Sequence, residues 1–242
     1  MPEFEDQSDR IETSDYPGRG IVIGATPDGT HLVQVYWIMG RSEGSRNRFI
    51  IQEEDTVRTR VFDESKLTEE MLSRVSYYPI RVYGSHHILT NGDQTDTILE
   101  HLKSGRTFES ALDTRTWELD PPIYTPRISG LLNTKSDAGY AYKLSILKTI
   151  QGSADHTSRQ YFTYDTAIPG YGHCITTYLD DGDPVPSFEG EPYTVALPDD
   201  IRETTDHFWS LLDEDNKVAL LTKFIDPGTN TSEIHIQNRY TG

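Results

Sequence analysis

The chain holds a single cysteine, Cys174, in 242 residues. One thiol excludes an internal disulfide and a cysteine-rich metal site, and it reads as a packing residue before it reads as a nucleophile. Long apolar runs are missing too. No stretch approaches the roughly 20 residues of a membrane span, and the N-terminal segment carries no hydrophobic signal core. A cytoplasmic location with no membrane partner is therefore expected. Base is scarce: 22 Lys and Arg stand against 39 Asp and Glu, a formal charge of -17. Such a chain repels polyanions, so nucleic acid is excluded as a main partner. Neither H-x-x-x-H nor C-x-x-C spacing occurs, and His86 and His87 are strand neighbours that point to opposite faces. No metal site is expected.

What is present reads as an ordinary globular chain, 35% hydrophobic and 25% charged. Residues 1–15 carry six acids and one base and are expected to form a disordered acidic tail, with a single domain over 16–242. Gly20 to Gly24 and His31 to Met39 flank Thr26-Pro27-Asp28-Gly29, the pattern of a β-hairpin. Further strands are expected at 49–52, 57–62, 80–83, 86–89, 128–132, 138–150, 160–166, 173–179, 218–224 and 234–236, segments rich in Tyr, Thr, Ile and Phe. Helices are expected at 68–75, after the turn block Asn91 to Asp96 and through Lys103 with Gly105 as the stop, at 107–114, and at 201–212 behind Asp199 or Asp200. Many strands, few helices and no alternating βαβ units predict an α+β fold of mostly antiparallel sheet, two sheet layers flanked by helices. The stretch Leu179 to Pro192, rich in Pro, Gly and acid, is expected as an exposed excursion, with a lid or an oligomer contact as the functional alternatives.

Against the acidic background, Gly40-Arg41-Ser42-Glu43-Gly44-Ser45-Arg46-Asn47-Arg48 packs three arginines into nine residues. Forked guanidinium donors in a Gly/Ser-rich turn suit a small anion such as phosphate or carboxylate. The same stretch matches the G-x-S-x-G of a nucleophile elbow, but an elbow must open a helix, and a polar turn is expected here instead. Gly24 to Thr30 has the glycine spacing of a phosphate loop without its lysine, and a simple turn accounts for it.

Three polar blocks sit at strand ends: Tyr36-Trp37 with the arginine run, Asn91-Gly92-Asp93-Gln94-Thr95-Asp96, and Glu118-x-Asp120 with Thr125-Pro126-Arg127. Together with Tyr16-Pro17-Gly18-Arg19-Gly20, they resemble the archaeal-type IMP cyclohydrolase family, including its longer bacterial members. The resemblance runs from Tyr16 to about Ile150, and Pro186 to Pro192 looks like the second half of the longer members. It implies a four-layer αββα sandwich like that of N-terminal-nucleophile hydrolases, without a processed nucleophile, and a homo-oligomer. It also implies closure of 5-formamidoimidazole-4-carboxamide ribotide (FAICAR) to IMP, a reaction that needs no cofactor. Expected catalytic residues are Glu118 as general acid or base, Tyr36, Arg41 and Asn47. Expected substrate contacts are Arg19, Arg46, Arg48, Asn91, Asp93, Thr95, Asp96, Thr125 and Arg127. Thr125-Pro126-Arg127 also reads as a rigid strand start with a surface ion pair, and Asp96 as an acid in the first turn of a helix. The alternative function is a non-catalytic purine nucleotide-binding protein on the same fold.

Overall fold

Apolar residues on both faces of the second expected strand set the layout, because such a strand must be covered twice. The computed structural model describes residues 4–54, 56–135 and 139–240. Its elements run α1 (Asp9–Glu12), β1 (Gly20–Ala25), β2 (Leu32–Met39), α2 (Glu43–Arg46), β3 (Phe49–Glu53), β4 (Thr56–Arg60), α3 (Glu69–Val75), β5 (Ile80–Tyr83) and β6 (His86–Thr90). They continue with α4 (Gln94–Lys103), α5 (Phe108–Leu112), β7 (Arg127–Asn133), β8 (Tyr142–Ile150), β9 (Ser153–Tyr164), β10 (Tyr171–Thr176), β11 (Tyr193–Ala196), α6 (Ile201–Leu211), β12 (Lys217–Ile225) and β13 (Ser232–Asn238).

A six-stranded sheet has the order β11-β10-β1-β2-β12-β13, and a five-stranded sheet the order β5-β6-β7-β8-β9. Every strand pair within them is antiparallel. The fold is therefore α+β with mostly antiparallel sheet, as the strand-heavy pattern indicated. On β2, Gln34 reaches the second sheet, donating from Nε2 to the His87 carbonyl at 3.1 Å. Trp37 lies on the opposite face and stacks on Phe208 of α6, centroids 6.3 Å apart. Gly130 of β7 lets the sheets close: a Cβ there would meet Ile23 of β1 at 2.5 Å. Helix α6 packs on β12 and β13, and α4 on β5, β6 and β7. Among the described residues, no helix is long and apolar enough to cross a membrane.

Several local expectations need correction. Residues 4–15 are no frayed tail: Ile11 is fully buried, the Gln7 amide donates to the Thr194 carbonyl at 2.9 Å, and the Asp6 carboxylate accepts from the Ala196 amide at 3.0 Å. One of the acids that made the segment look disordered, Asp6, is spent on backbone donors. Met1 to Glu3 lie outside the described residues. The expected strand start at Ala138 does too, and β8 begins at Tyr142. Strand β9 starts seven residues before the expected Gln160, because an edge strand needs no apolar alternation along its exposed part. Strand β11 and helices α1 and α2 were not expected. Cys174 is buried, and burial pushes its thiol up to about 12, as befits packing.

A polar seam crosses the sheet interface away from the arginine run. Lys223 of β12 is 1% exposed, and its Nζ lies 2.8 Å from His87 Nδ1. His87 Nε2 is 3.0 Å from Asn230 Oδ1, whose amide nitrogen is committed to the Gly84 carbonyl. The asparagine oxygen can only accept, so His87 carries its proton on Nε2 and Lys223 donates to Nδ1. Burial lowers the Lys223 amine to about 7. The unfolded amine titrates near 10.4, so the unfolded state holds the extra proton between the two values, and stability falls as pH drops from about 10 through 7. Lys223→Met is expected to flatten that slope in urea-unfolding midpoints taken from pH 7 to 10. An unchanged slope would mean the amine is solvated in the native state.

Candidate active site

Glycine chemistry places the first functional side chain. Gly18 has φ +73°, and a Cβ there would strike Thr177 Oγ1 at 2.3 Å and the Tyr178 ring at 2.5 Å. The tight turn brings the Arg19 amide to Thr177 Oγ1 at 3.0 Å, joining positions 158 residues apart in sequence. It also lays Tyr16 against Tyr178, rings stacked at 5.7 Å. Arg19 thus enters at the start of β1, beside the end of β2.

From that end the arginine run folds into α2 rather than a plain turn. Ser42 caps it: its hydroxyl accepts from the Ser45 amide at 3.1 Å, and the Ser42 amide donates to Ser45 Oγ at 2.9 Å. A short helix does follow the G-x-S-x-G, but the Ser42 hydroxyl is engaged in capping, with Ser45 as its side-chain partner. The helix and the residues just after it send Arg46 and Arg48 to different sides. Arg48 is 3% exposed and donates from Nε to the Ser45 carbonyl at 2.8 Å. Arg46 points away, bonding the Gly40 carbonyl at 2.8 Å and Asn216 Oδ1 at 3.1 Å, and lines a separate groove with Phe62 and Tyr240. Asn216 also accepts from the Gly40 amide and donates to the Asp15 carbonyl. Asn47 clasps the backbone of Asp63, donating at 2.7 Å and accepting at 3.0 Å.

The third part is the loop before β7. Its chain closes on itself: the Glu118 amide donates to the Thr125 carbonyl at 2.9 Å, and Asp120 accepts from the Thr125 amide at 2.8 Å and hydroxyl at 2.5 Å. Thr125 Oγ1 also meets the Tyr178 hydroxyl at 2.9 Å. Trp117 packs on Tyr124 at 4.8 Å, and Glu118 is left 5% exposed.

These pieces enclose two adjoining cavities of about 200 and 240 Å³ that share Arg19, Ser42, Ser45, Arg48, Asp120 and Ile123. Tyr16, Arg41, Thr125, Tyr178 and Val185 complete the first, and Glu118 and Arg74 line the second. Tyr36 lies fully buried behind them, its hydroxyl 2.6 Å from that of Tyr77. Three buried polar atoms around the second cavity have no hydrogen-bond partner among the described residues: Arg19 Nε, Arg48 Nη1 and Glu118 Oε1. Burial raises the Glu118 carboxyl above its ordinary range against the pull of Arg19 and Arg127. Burial, then the neighbouring Arg19, lowers Arg48. Burial also opposes charge on Arg19, but the Glu118 carboxylate together with Tyr178, Tyr77 and Tyr16 outweighs it, and the guanidinium is held more firmly protonated. The Tyr36 phenol is pushed well up by burial and by Tyr77.

Of the expected site residues, Arg19, Arg41, Arg48, Glu118 and Thr125 line this space, with Tyr36 behind it. The others lie elsewhere, held by scaffold bonds. Asn91 Oδ1 accepts from the Gln94 side chain and the Ile128 amide, both at 2.9 Å, and its Nδ2 donates to the Pro126 carbonyl. Thr95 is buried against Thr90 at 2.6 Å. Asp93 binds Arg127 at 2.7 Å and also Arg115, while Asp96 binds Arg81 at 2.9 Å. Arg46 and Asn47 complete the set. Sequence reasoning gave no role to Tyr16, Tyr77, Asp120 or Tyr178. Tyr16 and Asp120 lay inside quoted motifs; Tyr178 had no local signal, since contacts with residues far from it in sequence, Pro17, Tyr16 and Thr125, bring it here. No group of three or more His, Cys, Asp or Glu suited to a metal ion occurs among the described residues.

Comparison with known proteins gives the same direction. The family model for IMP cyclohydrolase-like protein matches residues 16–230. An IMP cyclohydrolase of Methanopyrus kandleri is 35% identical over 124 residues, 47% of this chain and 57% of that protein. Those of Methanococcus maripaludis and Methanosphaera stadtmanae are 32% and 29% identical, over 52% of this chain and 62% and 61% of theirs. The chain therefore spans about three fifths of the relatives it matches.

If Asn47 is a clasp rather than a substrate contact, Asn47→Ala leaves the Asp63 amide and carbonyl without their partner. The expected result is a stability loss of about 1–3 kcal/mol in denaturant unfolding. Unchanged stability would return Asn47 to the pool of ligand contacts.

Proposed function

The chain belongs to the IMP cyclohydrolase-like family, and from that membership we propose that it closes FAICAR to IMP with loss of water. The observation that carries the reading is the convergence of Arg19 Nε, Arg48 Nη1 and Glu118 Oε1, buried and unpaired, on one cavity wall. Buried polar atoms are nearly always bonded. Two cationic donors and one acid left open together suit a planar, amide-bearing ligand whose oxygens gain charge as it reacts.

The chemistry asks little beyond this. The attacking carboxamide nitrogen and the formyl carbon are on one molecule, so the site's first task is to fix the formamide rotamer that lets them meet. Attack turns the formyl oxygen into an oxyanion, and Arg19 and Arg48 are the donors for it; one such donor is typically worth about 3 kcal/mol. Glu118 takes the carboxamide proton and returns it to that oxyanion; the proton that the formamide nitrogen sheds as the ring C=N bond forms completes the departing water. A carboxyl raised by burial is better matched to that exchange than an ordinary one. Tyr36 and Tyr77, a phenol pair behind the arginines, hold that wall in register and keep water out. Arg41, at the more exposed mouth, suits the ribotide phosphate. Thr125 and Asp120 face the ligand from the far side.

The accompanying fold proposal is the four-layer αββα sandwich of N-terminal-nucleophile hydrolases. Facing sheets packed through β1 and β7, with α6 on one and α4 on the other, support it.

Purified protein mixed with FAICAR is expected to produce IMP, followed by absorbance, well above the spontaneous rate. Glu118→Gln should lower kcat by roughly 10²–10⁴-fold with KM little changed, and should remove the rise of activity with pH that ionisation of a raised carboxyl produces. Arg46→Ala should retain turnover, since Arg46 faces another groove. IMP bound without turnover would favour the nucleotide-binding alternative.

A further inference from the structure

The segment 179–187 borders the first cavity through Val185, as a strap with a fixed base and a tip held near the cavity mouth. At the base, the Leu179 amide donates to the Pro186 carbonyl and the Phe188 amide to the Thr177 carbonyl, both at 3.0 Å. Buried Lys148 adds a 2.6 Å bond to the Phe188 carbonyl. At the tip, Asp180 accepts from the Ser14 hydroxyl at 3.1 Å and the Asp15 amide at 3.0 Å. Beyond Asp180 the tip is held by Arg41, which pairs with Asp181 and donates to the Gly182 carbonyl at 3.1 Å. Arg41 also lines the cavity and lies over the Tyr16 ring at 4.8 Å, while Val185 of the strap lines the same space. One guanidinium therefore serves two surfaces, the strap and the cavity.

We propose that Asp181 is a built-in competitor for Arg41: a phosphate dianion entering the mouth takes the guanidinium, and the strap lets go at its tip while its base stays anchored. The proposal rests on the reading of the site as one for a nucleoside monophosphate. The pair it breaks is half-exposed, with side chains 36% and 45% accessible, and such pairs are weak. A phosphate dianion offers twice the charge of a carboxylate and a bidentate fit to the same fork. Replacing Asp181 therefore favours the phosphate. A neutral nucleoside has no claim on Arg41 and leaves the strap where it is, so the contact separates ribotides from nucleosides by their effect on the strap as well as by affinity.

The test compares IMP, inorganic phosphate and inosine binding by calorimetry in the wild type, Asp181→Asn, Arg41→Gln and the double variant, with amide exchange read over 181–185. Asp181→Asn should bind IMP about three- to fivefold tighter, the amount an exposed ion pair holds back, with inosine unchanged. In the Arg41→Gln background the Asp181 substitution should do nothing. Exchange at 181–185 should quicken on adding IMP or phosphate, and in ligand-free Arg41→Gln. The proposal is overturned if Asp181→Asn binds IMP no tighter than wild type, if IMP slows exchange in the strap, or if losing Arg41 leaves that exchange unchanged. IMP binding with no effect of Asp181→Asn would defeat the strap alone. Failure of both IMP and phosphate to bind the wild type would defeat the nucleotide reading and the strap with it.

Discussion

Two guanidinium groups drawn out of water toward a single carboxyl are the constraint from which the rest of the site follows. Burying a charge is costly unless it is paired, and Arg19 and Arg48 repel each other as well. The cluster persists because every segment that carries it is pinned by its own backbone. Gly18 forces the turn before Arg19, Asn47 locks α2 to Asp63, and Asp120 ties the Glu118 loop at both its amide and hydroxyl bonds to Thr125. Side chains that would relax toward solvent are denied the backbone freedom to do so. This is preorganisation in its physical sense: donors already aimed before the ligand arrives.

The polar motifs divide into two kinds of work. Glu118, Arg19 and Arg48 point inward with open valences. Asn91, Thr95 and Asn47 have nearly all of their hydrogen-bonding capacity used by nearby main chain, and Asp93 gathers Arg127 and Arg115 on an outer face. The second group gives the first its geometry. Asn91, for instance, joins the end of β6 to the start of β7, so Arg127 leaves the sheet at a fixed point and lends its charge to Glu118 from behind.

Much of the fold was legible because the β1–β2 hairpin, the Gly105 stop of α4 and the Asp200 cap of α6 are local signals. The polar start of β9 and the short β11 lacked them: edge strands are half in water and carry no alternation to read. In the site, residue type was more legible than direction. Arg46 ends a one-turn helix and Arg48 follows two residues later, and whether each faces the cavity depends on how α2 docks, which no composition reveals. Tyr178 was illegible for the opposite reason, being local to nothing in the motifs. The acidic N-terminal stretch misled because charge counts do not distinguish carboxylates in solvent from those capping amides.

Asn216 touches neither cavity, yet it grips the chain at Asp15, Gly40 and Arg46, one step from the aromatic and cationic sides of the mouth. It works as a keystone: remove it and both jambs of the doorway loosen together. A change of its side chain would release Arg46 and the Asp15 carbonyl at once, the first across 170 residues of sequence, while the Gly40 bond, made by the main-chain carbonyl, would stay.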